Sequence, residues 1–205
     1  MVRIALVDYG AGNLTSVRKA LRAVGADVFT PAAPAEMAGA DAVVIPGVGH
    51  FSATATLDDA WRRAIRAAVA AGRPLLGICL GQQWLFESSP EAPDVPGAGL
   101  LAGSCVRLEN REGLKVPHVG WNEVRAIRSS PLLSGLREGD QAYFTHTYAA
   151  PISDATVATT THGTTFASVV EDVDGLVTGV QFHPEKSGDV GLTVLRNFMA
   201  RAARA

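Results

Sequence analysis

Short, unbroken apolar runs alternate with helical patterns through the first half of the chain, and this alternation limits the fold more than any other feature. Arg3–Val7 carries Ile-Ala-Leu-Val, Ala26–Thr30 and Asp41–Ile45 follow, and Pro74–Ile78 is the fourth run. Between them Leu14, Val17, Leu21 and Val24 sit three or four residues apart ahead of Gly25, and Leu57, Trp61, Ile65 and Val69 recur every fourth residue ahead of Gly72. Continuous apolar runs mark strands buried on both faces, the helical spacing marks one apolar helix face, and glycine stops each helix. A further helix is expected to begin near Gly81. Strands joined through helices pair in parallel with right-handed crossovers. The expectation is therefore an α/β fold, a three-layer, doubly wound, mostly parallel sheet.

The second half changes character. Candidate strands at Ser104–Glu109, Glu123–Ile127, Gln141–Tyr148, Thr156–Thr161, Phe166–Val173 and Leu176–Phe182 succeed one another without long helical patterns. Val173-Asp174-Gly175 reads as a hairpin turn between the last two. A closing helix places Leu192, Leu195, Phe198 and Met199 on one face. Antiparallel additions to the parallel sheet follow. The proline-rich stretch Ser88–Pro96 reads as a loop inside a single domain covering residues 1–205.

Composition excludes several classes. At 205 residues, with 47% hydrophobic and 19% charged, the chain can bury roughly 70% of its unfolded surface and needs no disulfide or metal staple. A net charge of −2 gives no nucleic-acid footprint, and no apolar run approaches a membrane span. The Met-Val-Arg-Ile-Ala-Leu-Val-Asp start is too soon acidic for a signal peptide and reads as a strand. Two cysteines, Cys79 and Cys105, make no disulfide framework, so a reducing, cytoplasmic setting is expected.

Chemistry concentrates in Gly77-Ile78-Cys79-Leu80-Gly81, which has the spacing of a nucleophile elbow on a strand-to-helix turn. Glycines suit a tight turn, the helix N-terminus favours a thiolate at Cys79, and the Leu80 N–H is placed as an oxyanion donor. The same pentapeptide also fits a small, inert, buried cysteine. Of His50, His118, His146, His162 and His183, only His183 ends an apolar strand with a carboxylate two residues on, in Gln181-Phe182-His183-Pro184-Glu185. Pro184 biases His183 toward an extended conformation, in which side chains two apart share a side, so Glu185 can orient the imidazole. An isolated His-Pro-Glu fits a strand-end cap equally well. Pro46-Gly47-Val48-Gly49 supplies a second candidate oxyanion donor at Val48 or Gly49, or is an ordinary strand-to-helix turn. Gly10-Ala-Gly12 lacks the third small residue of a dinucleotide loop, since Thr15 stands there, and no two histidines or cysteines have ligand spacing on one element. No cofactor and no metal are expected.

Together, Gly77-Ile-Cys-Leu-Gly-Gln-Gln83 and Gln181-Phe-His-Pro-Glu185 resemble the class I (triad) glutamine amidotransferases. Asp8-Tyr-Gly-Ala-Gly-Asn13, Lys115-Val-Pro-His-Val-Gly-Trp-Asn122, Tyr143-Phe-Thr-His-Thr-Tyr148 and Gly179–Ser187 narrow the likeness to the glutaminase subunits of imidazole glycerol phosphate synthase, from about Val2 to Phe198. The resemblance implies a class I amidotransferase-like (flavodoxin-like) fold and hydrolysis of glutamine to glutamate and ammonia. Cys79 would be the nucleophile, His183 the acid and base, Glu185 its orienter, and the N–H groups of Leu80 and of Val48 or Gly49 the oxyanion donors. By position Gln83 and Glu91 match glutamine-binding residues. Asn13, Trp121, Tyr143 and Lys186 match the face that meets a separate (β/α)8-barrel cyclase in a heterodimer. Thr145 and Gln82 stand where aliphatic residues are usual. Trp121 is read as a loop residue, at the interface or folded onto the core. Rival readings are an amidotransferase serving a chorismate enzyme or pyridoxal phosphate synthesis, and a subunit that keeps the fold without the chemistry.

Overall fold

The computed structural model describes residues 1–110 and 113–204. β1 (Arg3–Leu6) leads through α1 (Leu14–Ala23) to β2 (Asp27–Phe29), and β3 (Ala42–Ile45) leads through α2 (Asp59–Ala70) to β4 (Leu75–Ile78) and α3 (Leu80–Leu85). α1 and α2 start where a side-chain oxygen can take an orphan N–H: Asn13 accepts from Ser16 N at 3.2 Å, and Asp58 accepts from Ala60 N and Trp61 N. Leu57, expected on the α2 face, is buried but lies just outside that helix, closing a 3₁₀ turn at Phe51–Thr56 that the apolar spacing did not announce. A second such turn spans Pro34–Gly39.

β5 (Val106–Arg107), β6 (His118–Glu123), β7 (Arg125–Ala126), β8 (Gln141–His146), β9 (Tyr148–Ala149), β10 (Thr156–His162), β11 (Thr164–Glu171), β12 (Val177–Val180) and α4 (Gly188–Ala202) complete the order. The main sheet runs β2-β1-β3-β4-β12-β11-β10-β7. Its first five strands are parallel and the last three antiparallel, joined at β12, which pairs in parallel with β4 and antiparallel with β11. The 2-1-3-4 beginning is the flavodoxin-like winding, with the antiparallel additions that the second half implied. Asp172–Gly175 makes the turn between β11 and β12, Gly175 N bonding Asp172 O at 3.1 Å.

Period-two alternation sorts the parallel strands between two cores. Ile4, Leu6, Val44, Leu76 and Ile78 pack with Val17, Leu21, Val194, Leu195 and Phe198 of α1 and α4. Val43, Ile45 and Leu75 face the opposite layer, with Ile65 of α2, Trp84 of α3, Met37 and Phe51. That two-sided burial is why these strands read as continuous apolar runs.

Two readings of the second half need correcting. His118–Glu123 forms β6, paired with β8 as a separate two-stranded ribbon, so Trp121 sits on a strand and not in a loop. The expected Gln141–Tyr148 strand is divided: β8 pairs with β6, whereas Tyr148 and Ala149 of β9 pair with β5.

Candidate active site

β4 ends at Ile78, and the next residue turns sharply into α3. Cys79 has φ 55° and ψ −107°, the sole positive-φ residue other than glycine among the described residues. Strain of about 1–3 kcal/mol is tolerable only where the surroundings fix the backbone, and here they do. Cys79 N donates to Val180 O at 2.8 Å, and its carbonyl accepts from Gln83 N. The flanking glycines are required by close approach: a Cβ on Gly77 would stand 2.6 Å from Gly81 O, and one on Gly81 would land on the Ile45 carbonyl group. The α3 helix has six residues, so the elbow offers its sulfur the free N–H groups of a first turn and little macrodipole. Cys79 is 3% exposed.

β12 lies beside β4 in register, Val180 opposite Ile78, which brings the residues following both strands together at one end of the sheet. His183 is extended at φ −98°, ψ 97°, as the following proline requires. Its Nδ1 meets Glu185 Oε1 at 2.8 Å, and both side chains are 1% exposed. The pair does not meet through an extended segment. Pro184–Lys186 forms a 3₁₀ turn, and that turn folds Glu185 back under the imidazole. Ser187 Oγ fixes the turn by donating to His183 O at 2.6 Å and accepting from Tyr143 N at 2.9 Å, while His183 N donates to Tyr143 O. Nε2 of His183 is buried without a hydrogen bond. Burial opposes charging this ring, yet the neighbouring Cys79 and Glu185 outweigh it and raise His183 to about 10. The arrangement is thus a sulfur beside a buried imidazolium backed by a carboxylate.

Gly47 packs against the elbow, a Cβ there standing 2.7 Å from Leu80 Cβ, so the Pro46–Gly49 loop borders the first turn of α3. Val48 is half-buried and Gly49 exposed with φ +111°. Glu91 Oε2 accepts from Phe51 N at 2.8 Å and so ties down the segment following that loop. Gln83 is buried, its Nε2 donating to Tyr148 O at 2.7 Å and to Gln181 Oε1 at 3.3 Å. Gln82, also buried, donates to Ala167 O at 3.1 Å. Two contacts of the sulfur had no sequence signal beyond position. Gln181 Nε2 lies 3.5 Å from Cys79 Sγ, and Thr145 O lies 4.0 Å from it. Tyr9 places a buried phenol next to Gly47, its titration pushed up by burial and then by Cys79. Cys105, 2% exposed, is a different kind of thiol: burial, then Glu91, push it up to about 12.

The β6–β8 ribbon connects this site to the surface. Val119 and Trp121 project from one face of β6, 58% and 54% exposed. Tyr143 stands opposite Trp121, their rings 6.1 Å apart edge to face, and Lys186 Nζ lies 5.7 Å from the Tyr143 ring centre. Asn13 is exposed at the start of α1. The other ribbon face buries His118, which stacks on His162 at 4.1 Å and bonds His146 at 3.1 Å. Burial and then His162 lower His118 to about 4, and burial and then His118 lower His146 to about 3. Among the described residues no group of three or more His, Cys, Asp or Glu could hold a metal ion.

These histidines set opposite pH limbs. His183, raised in the fold, supports it fully below its unfolded value of about 6.5, and that support is lost as pH rises through about 10. His118 and His146, lowered in the fold, support it above about 6.5 and cease to do so as pH falls through about 4 and 3. Thermal melts should peak near neutrality and fall on both sides. Glu185→Gln should weaken the alkaline limb, leaving the part that Cys79 supplies; an unaltered alkaline limb would show that Glu185 does not hold the imidazolium.

The family model "Glutamine amidotransferase class-I" matches residues 5–202. Among curated relatives, the imidazole glycerol phosphate synthase subunit HisH of Symbiobacterium thermophilum is 49% identical over 97% of this chain and 93% of its own. That of Natronomonas pharaonis is 48% identical over 96% and 93%. Among solved structures, PurLQS from Thermotoga maritima superposes with TM-score 0.74 at 19% identity, covering 98% of this chain and 99% of that one. The glutaminase domain of Trypanosoma brucei CTPS with bound acivicin gives 0.70 at 19% identity, covering 100% and 94%. At such identities the structures speak for the fold alone.

Proposed function

Because the chain belongs to the class-I glutamine amidotransferases and, within them, to the HisH subunits of imidazole glycerol phosphate synthase, we propose that the residues gathered at the ends of β4 and β12 carry out its glutamine hydrolysis. The observation that carries this reading is the buried His183–Glu185 pair, 2.8 Å apart, beside a cysteine held at positive φ. Cys79 Sγ attacks the side-chain amide carbon of glutamine. The carbonyl electrons move to oxygen, which the N–H of Leu80 and that of Val48 or Gly49 receive. The imidazolium Nε2 of His183 gives its proton to the departing nitrogen, leaving ammonia and a Cys79 thioester. Neutral His183 then takes a proton from water, whose oxygen displaces the sulfur to give glutamate. Glu185 keeps Nδ1 protonated and Nε2 directed at the reacting atoms throughout. Losing one oxyanion donor costs about 10²–10³ in rate, so the setting of the Val48 peptide governs how active the chain is.

Gln83 and Glu91 are the residues we assign to holding glutamine against the elbow. The synthase name makes the chain one subunit of a larger enzyme. The partner we infer is a (β/α)8-barrel cyclase that receives the ammonia and forms imidazole glycerol phosphate and an aminoimidazole carboxamide ribonucleotide. The exposed Val119 and Trp121, with half-buried Tyr143 opposite Trp121 and Lys186 beside it, support that docking surface. Trp121→Ala should weaken the complex by about 2 kcal/mol, about 30-fold in Kd. An unchanged Kd by titration calorimetry would take Trp121 out of the interface. No helix among the described residues is long and apolar enough to cross a membrane.

The test of the whole reading is glutamate release by the chain alone, then with the barrel cyclase and its ribonucleotide ligand. Strong stimulation by the pair is expected. Activity that is high alone and indifferent to the cyclase would keep the hydrolysis and move the chain to another amidotransferase partner.

A further inference from the structure

Gln181 follows the last residue of β12 and is fully buried. Its backbone cannot move far: the Gln181 N–H bonds Ser168 O of β11 at 2.9 Å, and the residue before it accepts from Cys79 N at 2.8 Å. Its side chain has one partner at each end. Nε2 lies 3.5 Å from Cys79 Sγ, and Oε1 accepts from Gln83 Nε2 at 3.3 Å. Gln83 Nε2 also donates to Tyr148 O at 2.7 Å. A backbone carbonyl only accepts, so Tyr148 O fixes which end of the Gln83 amide is the donor. Gln83 then meets Gln181 with N–H, Gln181 answers with its carbonyl, and its own NH₂ is left facing the sulfur. The direction of both buried amides is therefore set by one main-chain group.

We propose that Gln181 is a positioning residue for Cys79, the last member of an oriented Tyr148–Gln83–Gln181 relay that presents an N–H donor to the nucleophilic sulfur. The proposal rests on Cys79 being the nucleophile. Thr145 O also lies 4.0 Å from the sulfur, so the sulfur has both a donor and an acceptor within reach. The thiol can direct its S–H at Thr145 O, and the thiolate gains the Gln181 N–H as a charge-assisted bond. Within the relay Gln83 acts twice, bordering the substrate and holding the Gln181 amide in orientation.

Alkylation of Cys79 by iodoacetamide tests this, since it needs the sulfur and neither glutamine nor an oxyanion hole. It is followed against pH on the full chain bound to its cyclase, by mass spectrometry of the Cys79 peptide; Cys105 is buried and remains a thiol over the range used. Gln181→Met keeps the length and loses the donor. It is expected to slow alkylation about tenfold near neutral pH, the loss of one hydrogen bond to a charged atom, and to move its midpoint upward. KM for glutamine should change less than kcat. Gln83→Met touches no sulfur but breaks the relay one step back, and should shift the midpoint in the same direction by less. The other titratable groups around the Cys79–His183 pair, Glu185 beyond β12, Tyr9 beyond β1 and His146 in β8, are the same in all variants. A wild-type alkylation profile in a folded Gln181→Met protein would overturn the proposal. Should Gln181→Met not fold, a wild-type profile in Gln83→Met would do the same. Cys79→Ala separates the two layers: glutamate release surviving in that variant refutes the nucleophile, whereas its loss beside a normal Gln181→Met profile refutes the relay alone.

Discussion

Cys79→Ala is expected to cut glutamate release about 10³-fold or more, with thermal stability nearly unchanged, because it removes the sulfur proposed to form the thioester. Residual activity above a tenth of wild type would remove Cys79 from the reaction. Alanine is the informative replacement since it retains the Cβ, and with it the strain of φ 55°. Cys79→Gly removes that strain as well as the sulfur. It should be equally inactive yet more stable than Cys79→Ala by about 1 kcal/mol, a difference measurable by chemical denaturation. Such a gain would show that the fold holds the nucleophile in an unfavourable backbone conformation for the sake of the reaction. Equal stability of the two variants would mean that the elbow carries no net strain.

Gly81→Ala is expected to be strongly damaging, as one of the glycines where an added Cβ would fall 1.9 Å from a backbone carbonyl oxygen. The new Cβ would occupy the position of the Ile45 carbonyl group, 2.9 Å from its carbon, and Ile45 lies in a fully buried central strand that has no room to retreat. Small-to-large changes in packed cores cost about 1–3 kcal/mol, and a rigid backbone obstacle puts this one at or beyond the upper end. About 3 kcal/mol corresponds to a melting temperature lower by roughly 6–12 °C for a chain of this size. A melt within about 2 °C of wild type would show that α3 can shift away from β3. Glutaminase activity should fall further than stability does, because any such shift carries the Leu80 N–H with it.

Much of this was legible in the order of the residues. The parallel half followed from burial on both faces, since strands such as Ala42–Ile45 have no solvent side and their spelling shows it. The approach of Cys79 and His183, at the ends of the paired strands β4 and β12, was foreshadowed by glycine spacing and a strand-ending His-Pro-Glu. The remainder obeys weaker local rules. β6 contains a glycine, two exposed apolar residues and a histidine buried by tertiary stacking, so its sequence alternates by no simple scheme. The division of Gln141–Tyr148 reflects two different partner strands and no break in composition. Glu185 was correctly paired with His183 for an incorrect reason, since a 3₁₀ turn brings them together where strand alternation was expected to. Gln181 lay inside a recognisable motif with no role of its own, because that role depends on Gln83 and Tyr148, which only the fold makes its neighbours.

The place of β12 bears on how the chain comes into being. Gln181 and Cys79 are 102 residues apart, and β12 is the strand that fills the gap between β4 and β11. A ribosome needs about 5–20 s to cover that stretch. Until β12 inserts, that side of Leu75–Ile78 lacks its partner strand, and an unpaired apolar edge is a surface on which chains stick to one another. The thiol meanwhile has no imidazole beside it. The pairing of Cys79 with His183 and the covering of that edge thus arrive together, with the insertion of four residues. A polypeptide clipped ahead of Val177 would lack both, and is expected to aggregate and to release no glutamate.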